Sequence, residues 1–402
     1  MTQPAVETLL EHPLASLRLR RYPRLRGETL RAWDGADLYL LDEYSQLNQA
    51  MAGAPLVLND QCGALTLALL HASANRPDES VAGDQSPVSP AGAVHSSGDS
   101  WLARAALQAN ARDNVRDQGD TPILSEDLWR WPLDDWPVAP SVVLVRVPKE
   151  MALLEMQLSR LGDLPPGTPI RLAWMDKHLP GGLLDRVRHY LGPVSLLRGR
   201  HKAHGLAAAV PDRPVPAAPY PTRIKVPEQG WSLTVHAGVF AQQQLDVGAR
   251  LFMASVPQDV PGPIADLGCG NGVIGMTAAH RNPGQPVTFC DESWLALESA
   301  RENMQVNLPQ ATAHFHLGNG LGGLSGRFAL ILLNPPFHRG HAVDDTVARM
   351  LFRQAAGQLL PGGVLQVIGN RHLGYERTLQ RYFSSVRQIG GDSRFVILAA
   401  RP

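Results

Sequence analysis

Residues 266–272 read DLGCGNG, and this stretch decides the fold of the second half of the 402-residue chain. An apolar run at 264–267 precedes the glycines and a helical pattern at 273–280 follows them, so they lie in a turn between a strand and a helix. Glycine lets such a turn close tightly and lets the backbone approach a ligand without a Cβ clash. The spacing G-x-G-x-x-G is present at Gly270, Gly272 and Gly275, although a plain strand–helix turn would satisfy it as well.

Strand and helix patterns alternate downstream of this loop. The short apolar runs that predict strands lie at 287–290, 328–333, 364–368 and 394–399. The helical patterns between them lie at 294–307 and 346–360. The second helix should stop at Pro361-Gly362-Gly363, because neither residue type continues a helix. This alternation predicts a parallel α/β sheet.

The first half repeats these motifs in a diverged form. The sequence SWLA at 100–103, followed by Asn110 and Asn114, matches SWLA at 293–296, followed by Asn303 and Asn307. The sequence VLNDQCG at 57–63 can be laid over DLGCGNG, and the pattern at 142–149 resembles that at 330–337. A duplicated domain explains all three matches, although chance similarity of α/β units would explain any one. The sequence therefore predicts two Rossmann-like domains in tandem.

The two copies differ where a ligand would bind. The residues Gly268, Gly270, Asp291 and Asn334 of the second copy are replaced in the first copy by, in order, Asn59, Gln61, Gly98 and Val147. The first copy thus has the fold without the site. By elimination, we interpret it as a recruiting module.

Composition marks the domain boundaries. Residues 211–227 hold six prolines and are predicted to be a linker between a first domain at 1–210 and a second at 228–402. Residues 76–92 are rich in Pro, Ser, Gly and Asp, which predicts a low-complexity surface loop in the first domain.

Charge and composition exclude several classes of protein. The chain has 37 basic and 37 acidic side chains and no run of about 18 apolar residues, so we expect neither a membrane protein nor a secreted one. Its three cysteines are too scattered for disulfides or a zinc site, which predicts a metal-free protein of the reducing cytoplasm. All but four basic residues are arginine, which phosphate recognition or a GC-rich genome would explain. Nothing demands more than a monomer.

Asp291 follows the strand predicted at 287–290. A carboxylate at this place can accept hydrogen bonds from both ribose hydroxyls of an adenosine group. Together with the glycine loop it indicates a nucleoside cofactor, either NAD or S-adenosylmethionine. The alternative is a helix N-terminal carboxylate, with Glu292 and Ser293 beside it.

The tetrapeptide Asn334-Pro335-Pro336-Phe337 at a strand end favours S-adenosylmethionine. The lone pair of an exocyclic base amine is delocalised into the ring, so a methyl transfer to it needs positioning that a hydride transfer does not. The Asn334 side-chain oxygen and the Pro335 carbonyl could accept from such an NH₂ group and aim its lone pair at the methyl group. Phe337 could stack on a base turned out of its helix. The alternative is a proline-stiffened turn with Phe337 in the core.

Two further features have a functional and a structural interpretation. Asn319 follows a short apolar segment and could bind an adenine edge, or it could simply form a turn within Gly318-Asn319-Gly320. The arginine clusters could contact RNA phosphates or form a solvated surface. These clusters are Arg18, Arg20, Arg21, Arg24 and Arg26 near the N-terminus, and Arg371, Arg377, Arg381 and Arg387 near the C-terminus.

Taken together, the motifs resemble the large-subunit ribosomal RNA methyltransferase G family, whose relative is the small-subunit methyltransferase C family. The second-half motifs are DLGCGNGVIG at 266–275, DES at 291–293, NPPFH at 334–338 and NRHL at 370–373. The first-half motifs are LVLND at 56–60, GDS at 98–100 and VRVPK at 145–149. The resemblance extends over nearly the whole chain.

The resemblance implies a methyltransferase that modifies guanine N2 in 23S rRNA with S-adenosylmethionine as donor. It implies two methyltransferase-like domains, of which the first has lost cofactor binding and the second is a class I S-adenosylmethionine-dependent methyltransferase. The residues implied to hold the cofactor are Asp266, Gly268, Gly270 and Asp291, with Asn319 at its adenine. Asn334 and Phe337 would hold the guanine, with Pro335 completing the catalytic set.

Two departures and several alternatives stay open. The family usually has Ser-Arg where this chain has Ala241-Gln242, which puts any ligand contact there in doubt, and the loop at 76–92 resembles an insertion. The Asn-Pro-Pro-aromatic chemistry would also suit 16S rRNA, a DNA adenine or a protein glutamine. Other classes are a non-catalytic RNA-binding or assembly factor and a nicotinamide oxidoreductase.

Overall fold

The computed structural model describes residues 6–25, 27–47, 53–74, 94–114, 124, 126–335 and 342–402. The chain divides into two compact units, Met1–Pro219 and Tyr220–Pro402. The predicted surface loop at 76–92 lies outside the described residues.

The first unit contains one seven-stranded sheet with helices on its faces. Its elements are β1 (Leu9–His12), β2 (Ala15–Arg18), α1 (Gly35–Leu47), β3 (Leu56–Leu58), α2 (Ala64–Ala74), β4 (His95–Ser97), α3 (Trp101–Asp113), β5 (Trp129–Arg130), β6 (Val143–Arg146), α4 (Met151–Arg160), β7 (Pro169–Met175), α5 (Leu183–Leu191), β8 (Ser195–Leu196) and β9 (Ala203–Ala209). The strand order is β5-β4-β3-β6-β7-β9-β8, and β9 runs antiparallel to both of its neighbours.

The second unit has the same architecture. Its elements are β10 (Thr222–Val226), β11 (Trp231–Val235), α6 (Val247–Ser255), β12 (Ile264–Leu267), α7 (Val273–Arg281), β13 (Val287–Asp291), α8 (Trp294–Asn307), β14 (Ala313–Leu317), β15 (Phe328–Leu333), α9 (Ala342–Gln358), β16 (Leu359–Asn370), α10 (Tyr375–Leu379), β17 (Ser385–Gly391) and β18 (Phe395–Arg401). The strand order is β14-β13-β12-β15-β16-β18-β17, with β18 antiparallel. The predicted tandem of two Rossmann-like α/β sheets is therefore confirmed.

The strand order determines where a ligand can bind. In the second unit, β13 lies on one side of β12 and the later strand β15 lies on its other side. Parallel sheets of this kind form a crevice beyond the carboxyl ends of the strands where the order reverses. All four residues of β12 are buried, as expected for a strand covered on both faces by helices. A ligand site is therefore expected at the carboxyl ends of β12, β13 and β15.

The repeated asparagines bind a β-hairpin to a helix in each unit. In the second unit, Asn303 Nδ2 donates to the Thr234 carbonyl (2.9 Å) and to the Asn271 carbonyl (2.9 Å), and its Oδ1 accepts from Thr234 N (2.6 Å). In the first unit, Asn110 makes the same three bonds to Arg20 and Cys62. The sequence repeat therefore preserves a contact between helix and preceding hairpin segment: Asn303 in α8 binds Thr234 within β11, and Asn110 in α3 binds Arg20, two residues after β2.

A second repeated feature begins these two helices. Ser293 Oγ accepts from Ala296 N at the start of α8, and Ser100 Oγ accepts from Ala103 N at the start of α3. Both are helix N-caps, which satisfy a backbone donor that the first turn leaves unpaired. The SWLA motif is thus explained by helix capping.

We expect the Asn303→Ala variant to lose about 2–3 kcal/mol of unfolding free energy, because its buried hydrogen-bond partners are left unpaired. Asn307 is a matched control, since it bonds Ser232 in the same way but is only half-buried, and Asn307→Ala should cost about 1 kcal/mol. Urea unfolding measures both values. Equal losses for the two variants would contradict this role of Asn303.

The structure differs from the sequence expectations at three places. The strand β10 occupies 222–226, within the stretch predicted as a linker, while Ser159 binds the Pro216 carbonyl and Ala218 N in the first unit. The helix predicted at 346–360 ends at Gln358, and Pro361-Gly362-Gly363 lies inside β16, where the pairing register with β15 shifts. The strand β17 was not predicted, because its sequence SVRQIGG has only two apolar residues, ends in two glycines and lies largely exposed.

Candidate active site

The glycine loop forms an open backbone cradle after β12. Gly268, Gly270 and Gly272 have φ values of +72°, +52° and +82°, which favour glycine over any other residue. A Cβ on Gly272 would lie 2.8 Å from Ala300 Cβ, so this glycine allows α7 and α8 to pack closely. A Cβ on Gly268 or Gly270 would meet no atom within 4 Å. These two glycines therefore present bare backbone to open space at the edge of the sheet.

Asp291 joins the end of β13 to this cradle. Its Oδ2 accepts from Gly270 N (3.0 Å) and its Oδ1 accepts from Ser293 N (3.0 Å) at the start of α8. Loss of water around the carboxyl group raises its pKa, while the backbone N–H groups of Ser293, Gly270 and Glu292 lower it. Asp291 is therefore a carboxylate at a helix N-terminus, as the structural alternative predicts. Its place also fits ribose binding, because hydroxyl donors would stabilise this poorly solvated carboxylate.

Asp266 lies beneath the same loop. Its Oδ2 accepts from Gly275 N at 2.7 Å, and its side chain is buried. Burial raises the pKa of Asp266 to about 7, and the charge of Asp291 contributes to the increase. A cationic group bound at this edge would favour the ionised form of Asp266.

Asn334 lies beside the cradle, at the end of β15. The pairing of Leu267 with Leu333 in adjacent parallel strands places Gly268 and Asn334 next to each other at the carboxyl edge. Asn334 Oδ1 is buried and accepts no hydrogen bond from the residues that the structure describes. Buried polar atoms are nearly always bonded, so an unpaired acceptor indicates a missing donor. Pro335 is also buried, whereas Phe337 lies outside the described residues.

Asn319 lies two residues beyond β14. Gly318 N donates to the Asp291 carbonyl (2.9 Å), so the turn at 318–320 lies beside the end of β13. Asn319 is half-buried, and its carbonyl accepts from Gln354 Nε2 (3.0 Å). The backbone at 318–320 forms the turn that the structural alternative predicts, and the contact of Asn319 with an adenine stays a prediction. Gln354 was not singled out from the sequence, because a glutamine in a helix carries no distinctive signal.

The two residues that depart from the family pattern lie in the loop after β11. Ala241 has φ +64°, a left-handed conformation that non-glycine residues rarely adopt. Gln242 Nε2 donates to the His236 carbonyl (3.4 Å), and its own carbonyl accepts from Thr222 Oγ1 (2.7 Å). In this structure Gln242 stabilises its own loop.

The corresponding edge of the first unit is filled by side chains. Asn59 has φ +65° at the place of Gly268, and its side chain exchanges two hydrogen bonds with Gln157 (2.8 and 2.9 Å). Its Nδ2 also donates to the Arg146 carbonyl. A Cβ on Gly98, at the place of Asp291, would lie 3.3 Å from the Trp129 ring. The first unit therefore has neither the open cradle nor its carboxylate.

Two members of the N-terminal arginine cluster are paired within the first unit. Arg21 pairs with Glu28 (3.7 Å) and Arg24 with Asp113 (2.5 Å), and Arg26 lies outside the described residues. In the part of the chain that the structure describes, no cluster of three or more His, Cys, Asp or Glu side chains could hold a metal ion. None of the described helices is long and apolar enough to cross a bilayer.

Comparisons with known proteins give the same two-part division of the chain. The family described as "Methyltransferase small domain" matches residues 230–399, and the "RLMG N-terminal domain" matches residues 7–212. The protein named ribosomal RNA large subunit methyltransferase G of Alcanivorax borkumensis is 51% identical over 398 residues, 97% of this chain and 96% of that relative. Its namesake from Pseudomonas entomophila is 39% identical and covers 98% of this chain and 99% of its own.

A solved structure shows the same fold. It is a 16S rRNA N2 methyltransferase from T. thermophilus, in complex with AdoMet and guanosine. This structure is 19% identical, covers 98% of this chain and 97% of its own, and superposes with a TM-score of 0.68. At that identity the similarity concerns the fold, which is the class I methyltransferase fold predicted from the sequence.

Proposed function

This chain belongs to the ribosomal RNA large subunit methyltransferase G family, and from that premise we propose that it methylates the exocyclic N2 amine of one guanine in 23S rRNA. It is an S-adenosylmethionine-dependent methyltransferase that acts on ribosomal RNA. The observation that carries the finer proposal is the buried Asn334 oxygen without a partner in the described structure, next to an open glycine cradle.

The residues of the cradle fit the cofactor. S-adenosylmethionine supplies a methyl group on a sulfonium centre, which makes that group electrophilic. Gly268 and Gly270 would accommodate it because their backbone faces open space. Asp291 would accept from its ribose hydroxyls, Asp266 would face its cationic methionine end, and Asn319 would bind its adenine.

Asn334 and Pro335 would position the amine. The Asn334 Oδ1 atom and the Pro335 carbonyl would each accept a hydrogen bond from an N–H of the guanine NH₂ group. These bonds would reduce the delocalisation of the nitrogen lone pair into the base ring. Phe337 would stack on the base and hold its plane. Positioning and electrostatics then suffice, and no strong general base is required.

The first unit, without a cradle, would recruit the RNA. We propose that the chain acts as a monomer in the cytoplasm, with catalysis in the second unit alone.

An acceptor asparagine at a strand end would equally serve a guanine in 16S rRNA, a DNA adenine or a protein glutamine. Membership in the family favours the large-subunit rRNA.

Labelled S-adenosylmethionine and protein-free 23S and 16S rRNA test this proposal. Nuclease digestion after the reaction identifies the modified nucleoside. We expect N2-methylguanosine in 23S rRNA and no label in 16S rRNA. Label in 16S rRNA alone, or a different methylated nucleoside, would contradict the proposed substrate.

We expect the cofactor to bind more tightly as the pH rises towards neutrality. The raised pKa of Asp266, about 7, means that its carboxyl group is partly protonated in the free enzyme. A cationic methionine end favours the ionised form, so binding releases a proton and weakens as the pH falls below 7. The affinity at pH ~7.5 should exceed that at pH ~6 by about five- to tenfold.

Isothermal titration in buffers of different ionisation enthalpy measures both the affinity and the proton release. Asp266→Asn is the matched variant, because its amide oxygen can still accept from Gly275 N but does not titrate. Its affinity should be flat over this pH range. The same slope in wild type and variant would exclude Asp266 as the group responsible.

A further inference from the structure

Three of the four lysines in the chain lie at one edge of the first unit. Lys149 follows β6, Lys177 lies in the turn after β7, and Lys202 lies between β8 and β9. The strands β6 and β7 are parallel neighbours, so their carboxyl ends meet at the same edge of the sheet. The other basic residues of the chain are Lys225 and arginines, so three lysines at one edge are a marked concentration of lysine. We call these three residues the lysine edge.

The lysine edge is continuous and solvent-facing. Asp176 N donates to the Lys202 carbonyl (3.0 Å), which places Lys202 directly beside the turn that carries Lys177. His178 lies in the same turn, and its pKa is lowered by loss of solvent and by the charges of Lys177 and Lys149. All three lysine side chains are exposed, and none forms an ion pair with another described residue.

Most acidic residues close to this edge are held by contacts within the unit. Asp34 and Asp37 share Arg146 (2.6 and 2.7 Å), and Asp176 is hydrogen-bonded to His204 (2.6 Å). Glu150 is exposed beside Lys149 and is the acidic residue here for which the described structure shows no ion pair. A cavity of about 330 Å³ opens beside Lys202, with Arg31, Asp34 and His201 also in its wall. The edge therefore combines three exposed lysines, none of them in an ion pair with a described residue, with a concave surface.

The duplication gives this surface a counterpart in the second unit. A single turn of 3-10 helix follows the fifth strand of each sheet, at Asp176–His178 after β7 and at Arg371–Leu373 after β16. The sequences are DKHL at 176–179 and NRHL at 370–373. In the second unit, Leu333 pairs with Val367, so β16 runs beside β15, whose last residue Leu333 precedes Asn334. The same basic turn thus lies near the substrate position in one unit and is retained in the unit whose cofactor cradle is filled.

We infer that the lysine edge binds phosphates of the rRNA backbone, so that the first unit holds its substrate with the sheet edge that once faced a cofactor. This inference rests on the proposed function for the identity of the RNA. Lysine suits such a role, because an ammonium on a flexible stem can follow a phosphate backbone without the fixed bidentate geometry of arginine. Contacts of this kind position the RNA and carry no sequence preference of their own.

The triple variant Lys149→Gln, Lys177→Gln, Lys202→Gln tests the inference. We expect its Kd for protein-free 23S rRNA, measured by filter binding near physiological salt, to rise at least about tenfold. The dependence of log Kd on log salt should become shallower by about 2–3, since each lost phosphate contact contributes about 0.7–0.9. KM for rRNA should rise while kcat at saturating RNA and the Kd for S-adenosylmethionine stay at their wild-type values.

The matched control removes the same charge from another part of the first unit. Arg112, Arg188 and Arg213 are exposed and form no ion pair with a described residue; Arg112 lies near the end of α3, which runs away from the lysine edge. The triple Arg→Gln variant should bind RNA within about threefold of wild type. Wild-type affinity in the lysine variant, or an equal loss in the arginine control, would overturn the inference. Failure of the wild type to methylate 23S rRNA would instead overturn the proposed function, independently of both variants.

Discussion

The Asn334→Ala variant is expected to transfer methyl groups about 10³-fold more slowly than the wild type while its Kd for S-adenosylmethionine changes by less than about threefold. Alanine removes the oxygen that accepts from the target amine, and nothing else in the side chain can replace it. Removal of one preorganised hydrogen-bonding group from an active site commonly costs about 10²–10³ in kcat, and the loss of orientation adds to this. Because Asn334 Oδ1 has no partner among the described residues, its removal should not destabilise the fold.

Single-turnover methylation of 23S rRNA and titration with the cofactor measure the two effects separately. Val147→Ala is a matched control, because Val147 occupies the equivalent place at the end of β6 in the first unit. That variant should retain wild-type turnover. Wild-type turnover in Asn334→Ala would show that the amine is held by other groups.

The Asp291→Ala variant should lose cofactor binding instead. Two charge-assisted hydrogen bonds to ribose hydroxyls, at about 1.5–3 kcal/mol each, correspond to a rise in Kd of about 10²–10⁴-fold. The variant also frees Gly270 N and Ser293 N, which loosens the cradle. Isothermal titration with S-adenosylmethionine measures the change.

Asp60 provides the control for this second variant. It is a buried carboxylate of the first unit that accepts from Gly63 N, Thr66 N and the Thr66 hydroxyl, so it stabilises a loop without a cofactor. Asp60→Ala should lower stability and leave the Kd for the cofactor unchanged. A cofactor Kd for Asp291→Ala within threefold of wild type would remove Asp291 from the site.

The sequence predicted best the elements whose pattern is local. The helix predicted at 294–307 is α8, and the strand predicted at 328–333 is β15, since an amphipathic repeat and a buried apolar run are unambiguous. The glycines of the cradle were identifiable because they follow an apolar strand and precede a helical pattern, and Gly268, Gly270 and Gly272 do adopt the left-handed backbone that favours glycine. The neighbouring places of Gly268 and Asn334 follow from the sheet order, which the alternation of elements anticipates.

Other features depend on contacts between distant residues. The match of Asn303 to Asn110 was visible, but its role depends on backbone contacts with Thr234 and Arg20, which are far from these asparagines in the sequence. The start of β16 at Leu359 depends on its pairing with Phe328, so the helix ends two residues earlier than the Pro-Gly-Gly stop signal alone predicts. The lysine edge was not predicted either, because its three residues are far apart in the sequence and meet only through the strand order.

The reciprocal pair of Asn59 and Gln157 makes the loss of the first cofactor site difficult to reverse. Asn59→Gly alone would restore a glycine at the cradle position but would leave the Gln157 amide buried and unpaired, at a cost of about 1–3 kcal/mol. Changing Gln157 alone would likewise leave the Asn59 side-chain amide without this hydrogen-bond partner. Each single step back breaks this reciprocal pair and costs stability, so reopening the cradle of the first unit requires both changes together.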